Sequence, residues 1–176
     1  MPQTTNQQAI NRIMIIGCGG SGKSTLAIEL GKRLALPVHH LDRIFWKPGW
    51  VSISREALAA SVETLVVAPQ WIIDGNYSSS MDIRLAACDM VIFLDLPRLI
   101  CLWNVLKRRV MYQGRTRPDI SEGCPEQIDA EFLKWIWNFN RDKRPGIIAK
   151  LSALGDEKTV VILRSHRQVE RFLSSL

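Results

Sequence analysis

The chain has 176 residues, 47% hydrophobic and 23% charged, the balance of an ordinary globular protein of one domain. No run approaches the roughly 18 apolar residues that cross a bilayer, and the polar, uncharged opening Met1–Gln8 reads as a frayed tail and not as a signal or transit peptide, so a cytoplasmic protein without a membrane partner is expected. A net charge of +6 asks for an anionic partner, either a phosphate-bearing small molecule or nucleic acid.

Five short apolar runs alternate with helical patterns. Arg12–Ile16 reads as a strand and is followed by a Gly-rich loop. From Ser24 to Leu36, Leu26, Leu30 and Leu34 recur on one helical face, and Pro37 stops the pattern. Val38–Leu41 is a second strand, and residues 54–67 form a helix with Ser54 as its N-cap. Trp71–Ile73 is a third strand ending at Asp74-Gly75, and Met90–Leu94 a fourth ending at Asp95. A helix is predicted over Arg98–Met111, whereas Gly114, Pro118, Gly123 and Pro125 forbid a continuous one over 113–125. Two more helices are predicted over 126–140 and 145–154, then a strand Thr159–Leu163 and a helix over 165–175. Such alternation predicts an α/β fold whose parallel sheet is covered on both faces. No linker divides the chain, and no segment shows an amphipathic face left without a partner; the oligomeric state stays open. Cys18, Cys88, Cys101 and Cys124 form no CxxC pair and no zinc-like spacing, so reduced thiols are expected.

Residues 17–24 read Gly-Cys-Gly-Gly-Ser-Gly-Lys-Ser between a strand and a helix, the context that the G-x-x-x-x-G-K-[ST] phosphate loop requires. Gly17, Gly19, Gly20 and Gly22 let successive N–H groups converge on one phosphate, and the helix after them adds the positive end of its dipole. The predicted nucleotide site is Gly17, Gly19, Gly20, Ser21, Gly22, Lys23, Ser24 and Thr25. Lys23 would reach the β- and γ-phosphates of ATP, and Ser24 would hold Mg²⁺. Cys18 occupies a free position of the loop and needs no catalytic role.

The order of elements resembles that of the nucleoside monophosphate kinases. The run Met90–Pro97, with the helix ending in Arg108 and Arg109 and then Gly114-Arg115, is similar to the entry into the lid of adenylate kinases. Closer likeness lies in Gly-Ser-Gly-Lys-Ser-Thr, His40–Trp50, Trp71–Tyr77, Gly114–Asp119 and Glu122–Glu126, which resemble the bacterial adenylate-kinase-related "DNA topology modulation protein" (FlaR-type) family across essentially the whole chain. That resemblance implies a P-loop, three-layer α/β/α domain over 1–176 with a five-stranded parallel sheet and a helical, Arg-rich lid at about 108–145. It implies a kinase whose acceptor is undetermined. By the same resemblance Asp74 would orient Mg²⁺ and its waters, ahead of Asp95. Asp42, after the second strand, would act as base for an acceptor hydroxyl or bind Mg²⁺ through water, with a plain surface turn as the alternative.

Phosphoryl transfer spreads negative charge that arginines on a flap can meet when the site closes. Arg108, Arg109, Arg115 and Arg117 are the first candidates, with Arg141 and Arg144 second; three or four of the six are expected to reach nucleotide. Where adenylate kinases continue the strand motif as Asp-Gly-aromatic-Pro-Arg, this chain has Asn76-Tyr77-Ser78, and the next arginine is Arg84. Asn104 stands where the family carries another lid arginine, and Cys124 is the one lid cysteine, so neither AMP as acceptor nor a lid zinc is implied.

Trp46 or Trp50 could stack on a flat acceptor, while Phe132, Trp135, Ile136 and Phe139 read as a buried helical stripe. His39 and His40 read as plain strand residues. Arg164, Ser165 and His166 follow the last strand, where this fold passes the adenine. The competing function is an ATP-switched regulator of DNA topology or transcription, suggested by the family label and the charge; no helix-turn-helix, zinc-finger or RNA-binding signature accompanies it.

Overall fold

In the computed structural model, which describes residues 10–176, seven strands and eight helices follow one another along the chain. They are β1 (Arg12–Gly17), α1 (Lys23–Leu34), β2 (Val38–His40), α2 (Leu41–Phe45), β3 (Trp46–Lys47), β4 (Val51–Ser52), α3 (Arg55–Val66) and β5 (Trp71–Asp74). Then come a 3₁₀ turn (Ser78–Ser80), α4 (Met81–Ala87), β6 (Met90–Leu94), α5 (Arg98–Met111), α6 (Ala130–Asp142), α7 (Arg144–Ser152), β7 (Thr159–Leu163) and α8 (His166–Ser174). The tail expected at the start lies outside the described residues. Among the described residues no helix is long and apolar enough to cross a membrane.

The five predicted strands form one parallel sheet in the order β2-β5-β1-β6-β7. Alternate residues of β1 point to opposite faces. Met14 and Ile16 join a core with α3, α4, α5 and α6, while Ile13 and Ile15 pack beneath α1, with Leu26, Ala27 and Leu30. Every residue of β5 and β6 is buried, as a sheet covered on both faces demands. β1 lies between β5 and β6, so the loop after it opens at the centre of the sheet's carboxyl edge, where α/β sheets bind ligands.

Local chemistry sets the helix ends. Ser54 accepts from the Ala57 N–H at 3.0 Å and Asp129 from the Phe132 N–H at 2.6 Å, each satisfying a first-turn donor. The helix predicted from residue 126 therefore starts four residues late, at Ala130, because Asp129 caps it. α1 stops at Leu34, where Ala35 turns left-handed ahead of Pro37. Three pieces were not anticipated: α2, the antiparallel hairpin β3–β4, and α4. The expectation of no unpartnered amphipathic face also fails. α5 leaves Leu99, Trp103, Leu106 and Val110 exposed at helical spacing on the side turned away from its buried Cys101 and Val105.

Candidate active site

The loop between β1 and α1 is shaped by its glycines. Gly20 has φ +76, and a Cβ there would lie 2.3 Å from the Cys101 carbonyl oxygen of α5. Gly17 has φ +152, and a Cβ there would meet the Leu94 carbonyl oxygen at 2.7 Å. The loop is thus wedged between the ends of two strands and the flank of α5. Asn104 donates to the Gly20 carbonyl at 2.9 Å and braces the loop from the position where the adenylate kinase pattern has an arginine. Lys23 donates to the Cys18 carbonyl at 2.8 Å, folding its ammonium back over the loop. The hydrogen bond to Cys101, with burial, pushes the Cys18 thiol up and keeps it protonated.

The loop borders a cleft of about 990 Å³. Gly19, Gly20, Gly22, Lys23, Ser24 and Thr25 line it, whereas Gly17 and the buried Ser21 lie behind the lining and shape the loop from within. On the floor, Ser24 donates from Oγ to Asp74 Oδ2 at 2.9 Å. Asp74 is 3% exposed, and its other oxygen sits 2.5 Å from His40 Nδ1. His40 and Asp74 face each other because β2 and β5 are parallel neighbours in which these two residues are in register. Burial works against the His40 cation, but the hydrogen bond and charge of Asp74, with Asp119 and Asp42 beyond, outweigh it and raise its pKa. A hydroxyl and a carboxylate at the mouth of a phosphate loop are hard oxygen donors suited to Mg²⁺, which takes one or two carboxylates and completes its shell with phosphate and water. Among the described residues no group of three or more His, Cys, Asp and Glu side chains forms a cage for a metal ion.

Beyond Asp74 the cleft changes character. Asp42, in the first turn of α2, accepts from the Tyr77 hydroxyl at 2.7 Å through Oδ1. Burial first, then the charge of Asp42, pushes the Tyr77 phenol far up, so it stays a donor. Trp46 and Trp50 line this end, with ring centroids 5.3 Å apart, and Phe45 packs 4.8 Å from the Tyr77 ring. Trp50 is held by a bond from Nε1 to the Pro125 carbonyl at 3.0 Å. Asn76 also lines the cleft, and its buried Oδ1 has no hydrogen-bond partner. Arg84 does not reach the cleft. It is fully buried below, donating to the carbonyls of Ser80, Gly75 and Tyr77 at 3.1, 2.8 and 3.0 Å. Burial pulls its pKa down to about 10, so it remains a cation that ties the turn after β5 together.

The arginines of the predicted lid divide sharply. Arg108 and Arg117 line the cleft, and both lean on Glu126: Arg108 Nε donates to Oε1 at 2.9 Å, and Arg117 Nε lies 2.6 Å from Oε2 as an ion pair without hydrogen-bond alignment. Arg117 Nη1 also donates to Asp119 at 3.0 Å, which makes it a brace inside the lid loop. Arg115 is exposed and does not line the cleft. Nor do Arg109, Arg141 and Arg144: Arg141 pairs with its neighbour Asp142, and Arg144 grips Asp95 through two bonds of 2.8 Å. Of the six candidate arginines, two line the cleft. Asp95, joined also by Arg164 at 3.5 Å, is committed away from the floor on which Asp74 stands.

Four bonds tie the loop 121–125, within the predicted lid, to the segment 43–50. Gly49 N–H donates to the Gly123 carbonyl, Ser121 Oγ to Arg43, Cys124 Sγ to Lys47, and Trp50 to Pro125. From the other side Phe132 and Trp135, stacked 6.0 Å apart, cover Gly19; of the stripe expected to be buried, only Ile136 and Phe139 are fully so. His166, Val169 and Leu173 of α8 close the cleft beside α1, and Ser165 is the N-cap of that helix. His40, Asn76, Tyr77, Glu126, Val169 and Leu173 were missed as site residues. For His40 the missing piece was strand order, since both β2 and β5 had been located and only their adjacency brings it to Asp74.

No protein-family model matches the chain, and no curated protein does. Solved structures do. The shikimate kinase from Acinetobacter baumannii in complex with shikimate superposes with a TM-score of 0.62 at 14% identity, covering 95% of this chain and 90% of that one. The shikimate kinase from Bacteroides thetaiotaomicron gives 0.59 at 16%, over 95% and 96%. A deoxyadenosine kinase from M. mycoides, with the products dCMP and dCDP bound, gives 0.53 at 13%, over 93% and 97%. The fold is that of the P-loop kinases. At such identities the likeness is one of fold.

Proposed function

We propose that the protein is an ATP- and Mg²⁺-dependent kinase that phosphorylates a hydroxyl group of a small molecule. The observation that carries this is the continuity of one cleft from the phosphate loop, across the Ser24–Asp74 pair, to Asp42. In this reading the loop N–H groups and Lys23 bind the triphosphate, and the adenine lies between α1 and α8 against Val169 and Leu173. Ser24 and Asp74 would hold Mg²⁺, which when bound neutralises charge on the transferring phosphate. His40 fixes the orientation of the Asp74 carboxylate. Asp42, with Oδ1 anchored by Tyr77, turns Oδ2 to the acceptor. The acceptor oxygen attacks the γ-phosphorus, its proton passes to Asp42, the new O–P bond forms as the bond from the γ-phosphorus to the β,γ-bridging oxygen breaks, and ADP leaves. Arg108 supplies positive charge to the transferring group, while Arg117, with Glu126, sets its position.

The same reading places the protein among the adenylate-kinase-related proteins of FlaR type, as one cytoplasmic domain with a lid at about 108–145. The rival role of ATP-switched DNA regulator, suggested by the family label and the net charge, has less support, because three of the positive charges, Arg108, Arg117 and Arg144, are engaged by Glu126, Asp119 and Asp95. Incubation with Mg²⁺ and γ-labelled ATP against a metabolite panel tests the proposal. Lys23→Ala is expected to lower transfer by about 10²–10³-fold, equivalent to roughly 3–4 kcal/mol of transition-state stabilisation. Transfer at the wild-type rate in that variant would sink the assigned role.

A further inference from the structure

The charges and hydrogen-bond donors at the acceptor end point to the kind of molecule it takes. An acceptor bearing a phosphate or carboxylate needs cationic donors, usually an arginine fork. Among the described residues, the Lys and Arg side chains lining the cleft are Lys23, Lys32, Arg108 and Arg117. Lys23 belongs to the phosphate loop, and Lys32 lies roughly two and a half turns further along α1, at the donor end. Arg108, paired with Glu126, serves the transferring phosphate in the proposed kinase, and Arg117 is held by Glu126 and Asp119. Arg43 and Lys47, close by in sequence, are exposed and do not line the cleft. Arg84 spends its donors on three backbone carbonyls and is sealed beneath the floor.

What the acceptor end does offer is of another kind. Asp42 presents a carboxylate, Asn76 a buried carbonyl oxygen that lacks a donor, and Trp46 and Trp50 an aromatic wall. The two oxygens seek O–H or N–H groups, and the indoles seek a flat or apolar face. A fixed anion here would face Asp42 without a partner and would stay partly desolvated, which a closed site penalises.

From this we infer that the acceptor is an uncharged hydroxyl compound with one stackable face, the chemistry shared by free nucleosides and by glycosides, and not a phosphorylated or carboxylated metabolite. The inference rests on the kinase reading and narrows it. Such a molecule gives a hydroxyl proton to Asp42 and a second donor to Asn76, and lays its ring against Trp46 or Trp50.

The full chain should be tested on acceptor pairs that differ only in charge: nucleosides against their 5′-phosphates, and aromatic glycosides against the matching glycosiduronic acids. Phosphorus NMR reads transfer from Mg-ATP, and calorimetry with and without a Mg-bound non-hydrolysable ATP analogue reads binding. The neutral member of at least one pair should exceed its anionic partner by tenfold or more in kcat/KM and in affinity; which pair responds separates nucleoside from glycoside. Trp46→Ala should weaken that neutral acceptor about tenfold and leave the ATP analogue unaffected. In Asp119→Asn, which uncovers part of the Arg117 charge, selectivity should shift toward the anionic member. Preference of the wild-type protein for anionic members, or no neutral member binding in either calorimetric arm, overturns the inference. If neutral acceptors bind without nucleotide but ATP neither binds nor reacts, the acceptor class stands and the kinase reading falls.

Discussion

The two ends of the cleft are built from different materials. At the donor end the chain presents its own backbone: Gly17 and Gly20 are pressed against the carbonyls of Leu94 and Cys101, where any Cβ would collide, and Lys23 rests on the carbonyl of Cys18. At the acceptor end side chains from four separate segments do the work, with Tyr77 on Asp42, His40 on Asp74, Trp46 beside Trp50, and Arg84 beneath. In the proposed kinase, a site made of backbone suits a group that never varies, the triphosphate. One made of side chains can be altered residue by residue to suit an acceptor, and the solved structures of this fold, which include a complex with shikimate and one with dCMP, show the same sheet serving different ones.

The sharpest way to break this contrast is Arg84→Met. Three buried carbonyls lose their donor, at a cost of roughly 3–6 kcal/mol. Chemical denaturation should show that loss. At temperatures where the variant is still folded, acceptor binding should suffer far more than binding of an ATP analogue; equal loss at both ends would mean that the two are not separately built. Tyr77→Phe is expected to do less. Removing the hydroxyl frees Asp42 Oδ1, and about 1.4 kcal/mol of positioning corresponds to about a tenfold fall in kcat. The KM for ATP should be unchanged, so a matching rise in that KM would place Tyr77 in the donor half.

The smallest effect is expected at the root of β1, the strand that carries the phosphate loop at its other end. Asp89 accepts from the N–H groups of Asn11 and Arg12 and from the Arg12 side chain. Burial opposes its charge, yet these bonds lower its pKa below the ordinary carboxylate value. A depressed carboxylate contributes stability that is present above its unfolded pKa and lost as pH falls through the lower folded value. Asp89→Asn should therefore cost about 1 kcal/mol near neutrality, and the difference from wild type should shrink as pH falls below the usual aspartate value of about 3.9 and disappear only below the depressed folded value. Unfolding curves at pH 7 and pH 3 check the sign.

The same contrast explains what was legible in the sequence. The phosphate loop could be read because steric exclusion at Gly17 and Gly20 fixes residue type at fixed spacing. The central strands β1, β5 and β6 stood out because burial on both faces makes them near-continuous apolar runs, and the Ser54 cap was visible for its own local reason. His40 stayed hidden because its partner is 34 residues away and only strand adjacency joins them. Glu126 fell inside a predicted helix and gave no sign that two arginines would converge on it, and the role of Arg84, the next arginine after the strand motif, shows only in the chain's path after β5, where its donors are consumed by backbone carbonyls. Charge counted along the sequence cannot separate an arginine facing a ligand from one neutralised by an acid.

The four bonds between the segment 43–50 and residues 121–125 carry a further consequence. A loop fastened to the hairpin cannot shift over the triphosphate without dragging the hairpin or giving up those bonds. The two binding events then share one mechanical element. In the proposed kinase, whatever factor ATP lends to the affinity for the acceptor, the acceptor must return to ATP, because a coupling free energy has the same value read from either side.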